Sequence, residues 1–240
     1  MTLPGQNVML RRWMPYGLLA CVCVVGELRA QSDGLVAFPE TYRVQFENPW
    51  VRVVRIHVAG GANIGMHTHP PGFMFHVYLN DAEPISFNHD GAPYEIQRPP
   101  VTARSYRIGL ATPESHAVVN PSAKASDYMR VEYKTRGGES TRRRMPAPAL
   151  GSETASQIEH VGPQSRVTRV TVAANSSIEL ATPGGQPALL IFVTDGADGT
   201  GQLIKVGDHR FLDPSGKTTI RNAGASPLQL LRFDFLTPPA

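Results

Sequence analysis

The stretch GMHTHPPGFMFHVYLND, Gly65–Asp81, decides how the chain is read. It sets His67 and His69 one residue apart, then a double proline, then an apolar run holding a third histidine, His76. In a strand, alternate side chains share a face. His67 and His69 therefore point the same way, at one object.

The surrounding sequence is strand after strand. YRVQFE (42–47), WVRVVRIHV (50–58), FMFHVYL (73–79), RSYRIGL (104–110) and YMRVEYK (128–134) are short, rich in β-branched and aromatic residues, and bounded by turn residues. HDGA (89–92) carries an Asp-Gly hairpin signal. A polar, aperiodic segment follows, GGESTRRRMPAPALGSETASQ (137–157), and the interval 137–160 reads as a linker with Arg142, Arg143 and Arg144 solvated. Strands resume with SRVTRVTV (165–172), ALLIFVT (188–194), GQLIKVG (201–207), TTIRN (218–222) and LQLLRFDF (228–235).

The two halves read as copies. VRVVRIHVAGGANIGMH (51–67) lies over SRVTRVTVAANSSIELA (165–181), with Arg52/Arg166, Val53/Val167, Arg55/Arg169, Val58/Val172, Ala59/Ala173 and Ile64/Ile178 coinciding without a gap. VYLND (77–81) lies over IFVTD (191–195), and HAVVN (116–120) over TTIRN (218–222). The expectation is an all-β protein of two tandem barrels, residues 31–136 and 161–240, with a shared interface.

The first 30 residues stand apart. Arg11 and Arg12 precede an apolar run from Trp13 to Val25, and Leu28-Arg29-Ala30 offers a small residue for cleavage. This is the plan of a signal peptide, which implies a periplasmic or secreted protein. Met9 would serve as an alternative start, and Leu18-Leu19-Ala20-Cys21 loosely fits a lipoprotein signal. Loss of the leader removes Arg11, Arg12, Arg29 and Glu27, so 23 basic and 20 acidic residues become 20 and 19. A net charge near zero gives a nucleic-acid partner no support. Both cysteines, Cys21 and Cys23, leave as well, and with them any disulfide or thiol chemistry. No apolar run beyond the leader is long enough to span a membrane.

Further chemistry comes from ATPESHAVVN (111–120), where His116 opens a short strand that Asn120 closes. His67, His69 and His116 facing into one barrel form a site for a single divalent transition metal, with the remaining positions left for water or substrate. Gly216-Lys217-Thr218 echoes a phosphate loop, but Phe211 stands where the upstream glycine is needed. His57 reads as an ordinary strand residue, and His89, beside the Asp-Gly turn, as solvated.

On these residues the chain resembles the cupin superfamily of small jelly-roll barrels. GANIGMHTHPPGFMFHVYLND matches the first cupin motif at Gly61, His67 and His69, and ATPESHAVVN matches the second at His116 and Asn120, with Pro113 displaced and the motif glycine missing. With the duplication, the resemblance is to a bicupin over about residues 40–236. It implies a metal site and a small-molecule ligand, with iron, manganese, zinc or nickel as the ion. The glutamate ligand of the family would fall at Phe73 or Met74, and no carboxylate stands there. His76, two residues beyond Met74, is the candidate catalytic residue, a base near the metal or a further ligand; a hydrogen-bonded core histidine is the alternative. In the second half Ala181, Pro183 and Thr218 lie over the three histidines, so that barrel reads as structural or dimer-forming. The resemblance permits a dioxygenase or isomerase, a non-catalytic ligand- or sugar-binding module, or a structural protein with a vestigial site, because one fold hosts many functions.

Overall fold

The computed structural model describes residues 32–109, 114–135 and 142–239. The expected leader, residues 1–30, lies outside the described residues. After a one-turn helix α1 (Gly34–Ala37), the first half contains β1 (Tyr42–Glu47), β2 (Val51–Val58), β3 (Asn63–His69), β4 (Met74–Tyr78), β5 (Ile85–His89), β6 (Glu95–Arg98), β7 (Tyr106–Gly109), β8 (Glu114–Val119) and β9 (Ser126–Tyr133). The short β10 (Arg143–Met145) follows. The second half contains β11 (Ala155–Val161), β12 (Ser165–Val172), β13 (Ser176–Ala181), β14 (Ala188–Phe192), β15 (Gly196–Ala197), β16 (Leu203–Ile204), β17 (His209–Leu212), β18 (Lys217–Asn222) and β19 (Leu228–Phe235).

Each half is a two-sheet antiparallel jelly roll. The large sheet of the first half runs β1-β2-β9-β4-β7-β10, and that of the second runs β11-β12-β19-β14-β17. The facing sheets are β3-β8-β5-β6 in the first half and the pair β13-β18 in the second. The duplication read from the sequence extends to irregularities: β1 is bulged between Val44 and Phe46, and β11 between Ile158 and His160. It extends to single side chains too. Asn120 Nδ2 donates to the carbonyls of Val58, Ala59 and Lys124, and Asn222 Nδ2 to those of Val172, Ala173 and Ser226.

Three apolar clusters account for the packing. One fills the first barrel around Val54, Ile56, Ile64, Ile85 and Val118. One fills the second around Val170, Leu180, Leu190, Ile220 and Leu230. The third lies between the barrels, where the backs of the two large sheets meet: Val53, Phe75, Val77, Met129 and Val131 pack with Val167, Leu189, Ile191, Leu231 and Phe233. Strands such as β4, β9, β14 and β19 are consequently buried on both faces. This explains the continuous apolar run of β14, while in β9 and β19 polar residues such as Arg130, Glu132, Arg232 and Asp234 alternate with apolar ones and are buried too.

The segment read as a linker, 137–160, contributes structure to both halves. Residues 143–145 form β10 and extend the first sheet at β7, with Arg144 opposite Arg107. Residues 155–160 belong to β11, the edge strand of the second large sheet. Their polar composition misleads because both are edge strands with solvent-facing side chains.

Candidate metal centre

The three histidines named from the sequence come together. His67 and His69 lie on β3, which pairs with β8 so that His67 stands opposite His116. Their ring centroids are 4.8 Å (His67–His69), 4.9 Å (His67–His116) and 5.0 Å (His69–His116) apart, and one ligand atom from each lies within 4.8 Å of the others. All three side chains are buried. A bulge between Ile64 and His67 creates this arrangement: β3 holds one residue more than β8 across that interval. Ile64 faces the core, and the extra residue lets His67 and then His69 face inward after it. Bulges re-aim side chains in this way.

In the second barrel the pairing runs without that bulge, and Leu180, not Ala181, stands opposite Thr218. The gapless sequence superposition is therefore one residue out at this point. The counterpart of His67 is a core leucine.

The ring nitrogens are already organised. His67 Nδ1 lies 2.8 Å from the carbonyl of Gly65, to which it donates, so Nε2 holds the lone pair and accepts from the Tyr42 hydroxyl at 2.8 Å. Glu114 Oε1 stands 3.2 Å from His116 Nδ1, a charge contact off the line of a well-formed hydrogen bond. Carboxylate and carbonyl partners of this kind fix metal-binding imidazoles. His69 differs. Arg130 donates to its Nδ1 at 3.0 Å, and because a guanidinium cannot accept, the proton of His69 sits on Nε2. Burial pushes the His69 pKa far below that of a free imidazole, and Arg130 and the neighbouring rings push the same way. Burial also lowers that of His67. Neutral rings of this kind are what a metal needs, and here the lone pairs of His67 and His69 accept from Tyr42 and Arg130, which an ion would have to displace.

A carboxylate stands beside the triad without joining it. Glu114, on β8, forms with His116 and His89 a second group of possible ligand atoms within 4.8 Å of one another. His89 Nε2 lies 3.8 Å from Glu114 Oε2, and the His89 ring is 5.3 Å from that of His116. Burial opposes ionisation of Glu114, but its contact with His116, helped by Arg107, holds its pKa below the usual value. The reading of His89 as solvated is corrected: the β5–β8 register sets it opposite His116, and it is only partly exposed. Nothing within the strand pattern distinguishes Glu114 or His89; their signal is the pairing of β5 with β8.

His76 lies on β4, on the barrel's inner face with Met74, and lines the same cavity as His69, His89 and His116. It is not a member of the triad. Its two ring nitrogens are each 3.4 Å from Arg107 Nη2, at the far limit of hydrogen bonding. Burial first, then the charges of Arg107 and Arg130, keep it neutral well below the usual histidine pKa. The cavity has a volume of about 580 Å³, in the range of small-molecule sites. Arg142, Arg143 and Arg144, read as merely solvated, line its mouth.

The near side of the triad is closed by residues 32–38. Thr68 N donates to the Ser32 carbonyl at 3.1 Å, and the Phe38 ring is 5.4 Å from that of His67. A Cβ on Gly34 would come within 2.8 Å of the His67 ring and 3.2 Å of the His69 ring, so only glycine lets α1 approach so closely.

Comparison with solved structures agrees with this architecture. Bacterial pirin YhhW from Escherichia coli, solved in complex with nickel(II), is similar with a TM-score of 0.56 at 15% identity, over 83% of this chain and 91% of that one. YhaK from Escherichia coli gives 0.54 at 14% identity, over 85% and 97%. Oxalate decarboxylase from Lactobacillus farciminis, solved as a formate complex, gives 0.53 at 10% identity, over 80% and 78%. The chain has a bicupin fold. No protein-family profile and no curated protein sequence matches it. Among the described residues the histidine triad belongs to the first barrel alone, since Leu180 and Thr218 take the places of His67 and His116 in the second.

Proposed function

We propose that this bicupin binds one divalent transition metal through His67, His69 and His116, and that the adjoining cavity receives a small molecule whose conversion, of dioxygenase or isomerase type, is its function. The observation that carries the reading is the convergence of three buried imidazoles beside a cavity of about 580 Å³. The donor set fits a metal such as iron, manganese, zinc or nickel. Nickel(II), held by the structurally similar pirin, is the first ion to test. When bound, the ion would supply Lewis-acid polarisation of the ligand, and iron or manganese also electron exchange.

The chain's own residues supply the rest. Gly65 and Glu114 orient the rings of His67 and His116. Residues 32–38 keep water from the near side. His76, neutral and facing the cavity, holds a lone pair with which it can accept a proton from a bound molecule. Tyr42 donates its hydroxyl proton to His67, and burial raises its pKa well above that of a free phenol, so it stays protonated until something displaces it. A ligand-binding barrel without catalysis is the competing reading, favoured by the Arg130 contact that occupies one nitrogen of His69. We also propose that the protein is exported after removal of about its first 30 residues.

Elemental analysis of the protein purified from a Gram-negative host tests the metal assignment, with N-terminal sequencing of the same sample testing export. One ion per chain is expected, falling to a trace in the variant carrying His67→Ala, His69→Ala and His116→Ala. Full metal content in that variant, or two ions per chain, overturns the assignment. An intact Met1 or Met9 on exported material overturns cleavage.

A further inference from the structure

A row of charge crosses the inner face of the first large sheet. β10, β7, β4 and β9 are consecutive neighbours, and their register sets Arg144 opposite Arg107, Arg107 opposite His76, and His76 opposite Arg130. Directly opposed residues share a face, and like charges so placed repel. The row holds three guanidiniums around one neutral imidazole, with no carboxylate in it. The acid nearest to it is Glu132, two residues beyond Arg130. Its Oε1 is 2.6 Å from Arg130 Nε and its Oε2 2.6 Å from Arg52 Nε, so its single charge is divided between two arginines. Among the described residues Arg107 has no carboxylate within ion-pair distance.

The donors left over belong to the residues on either side of His76. Arg130 is 3% exposed and its Nη2 is buried with no hydrogen-bond partner; Arg107 Nε is likewise buried without one. Buried unpaired donors on charged groups cost stability. In the second barrel the arginines of the same row are already partnered. Its counterparts are Arg210, Leu190 and Arg232. Arg232 Nε donates to Asp234 and Nη2 to the carbonyl of Ala181, while Arg210 lies over the Phe192 ring at 5.5 Å.

We infer that the Arg107–His76–Arg130 row is a recognition site for a monoanionic organic carboxylate. This rests on the reading of the cavity as the small-molecule site and names its substrate class. A carboxylate between the two guanidiniums would accept from both orphaned donors, in the charge-assisted geometry that arginine favours. Arg130 also contacts His69, so the bound anion would lie beside the metal ligands. Met74, Phe87 and Ile96 line the same cavity and suit an apolar body on the ligand. Asp90 and Glu114 line it too, which disfavours a phosphate monoester with its charge near −2.

The test uses the full exported chain in two states, stripped of metal and loaded with it, with metal content measured in each. Benzoate, benzamide and phenyl phosphate are titrated by calorimetry. Benzoate is expected to bind both states, and benzamide, the neutral analogue, at least about tenfold more weakly, in line with the loss of a charge-assisted pair. Arg107→Gln should weaken benzoate by about tenfold while leaving metal content unchanged, and Arg144→Gln, at the exposed edge, by a smaller factor in the same direction. Equal binding of benzoate and benzamide, or no benzoate binding to folded protein, overturns the inference. Tighter binding of phenyl phosphate overturns the carboxylate assignment. Benzoate binding by a chain that takes up no metal leaves this inference standing and removes the metal reading; metal uptake without benzoate binding does the reverse.

Discussion

The two barrels are nearly the same object seen from outside and different objects seen from within. They share the order of the first five strands of the large sheet, a bulge in the first strand, the asparagine that ties three carbonyls together, and the arginine–acid pairs Arg52–Glu132 and Arg166–Asp234. They part at the inner face. Where the first barrel sets His67, His76 and His116, the second sets Leu180, Leu190 and Thr218. Two of those replacements are core leucines, and the second interior is closed around them. The difference teaches that the jelly roll needs its shared framework to fold, and that its inner face is free to be filled by hydrocarbon or left polar and hollow.

The comparison breaks most severely if the halves are separated. Ending the chain after Leu150 would expose the face carrying Phe75, Val77, Met129 and Val131, which the second barrel covers. At roughly 25 cal/mol per Å² of apolar surface, an interface of ordinary inter-domain size is worth several kcal/mol, comparable with the net stability of a domain. The fragment is expected to aggregate or to lose cooperative unfolding, measured by soluble yield and urea denaturation. A soluble, cooperatively folding fragment 31–150 would show the halves to be independent. A milder cut compares the two asparagines. Asn120→Ala and Asn222→Ala remove the same buried hydrogen bonds, and each should cost about 1–3 kcal/mol in denaturant unfolding. Only Asn120→Ala should also speed metal loss, because Asn120 closes the strand that carries His116. Equal loosening by Asn222→Ala would mean the barrels do not divide the work.

The smallest expected effect concerns pH. Burial holds the pKa values of His67, His69 and His76 below the free value of about 6.5. As pH falls below about 6.5 the unfolded chain binds protons that the folded chain does not, so the metal-free protein loses stability on acidification. Metal binding should likewise persist somewhat below that pH before proton competition removes it. His76→Leu copies the second barrel's residue into the first. It should reduce this loss by roughly 1 kcal/mol at about pH 5.5 relative to pH 7.5, since one pKa unit is worth about 1.4 kcal/mol. An unchanged pH dependence of unfolding would show that His76 is not held neutral by its surroundings.

Much of this architecture was legible in the sequence because duplication repeats its signals. Ile64/Ile178, Asn120/Asn222 and the paired arginines mark strands at matching places, and the His-x-His spacing puts two ligands on one face. What stayed hidden depends on pairing between distant strands. His89 looks like a turn-side residue until β5 lies against β8. Arg144 looks like part of a solvated run until β10 adds to β7. Glu114 carries no local mark of its contact with His116. The gapless superposition of the halves could not reveal the bulge in β3, because an extra residue in one copy is absorbed by the neighbouring loop without disturbing the match on either side.

That bulge has a further consequence. A strand is read by its neighbours two residues at a time, like text in a fixed frame, and one added residue shifts the frame for everything downstream. In the second barrel the frame delivers Ile178 and Leu180 to the interior; in the first it delivers Ile64, then skips, then delivers His67 and His69. Substitutions at the histidine positions alone would have placed imidazoles in an unshifted frame, facing outward. The two copies therefore differ in length here as well as in letters, and removing one residue between Ile64 and His67 would turn both ligands out of the barrel without altering either of them.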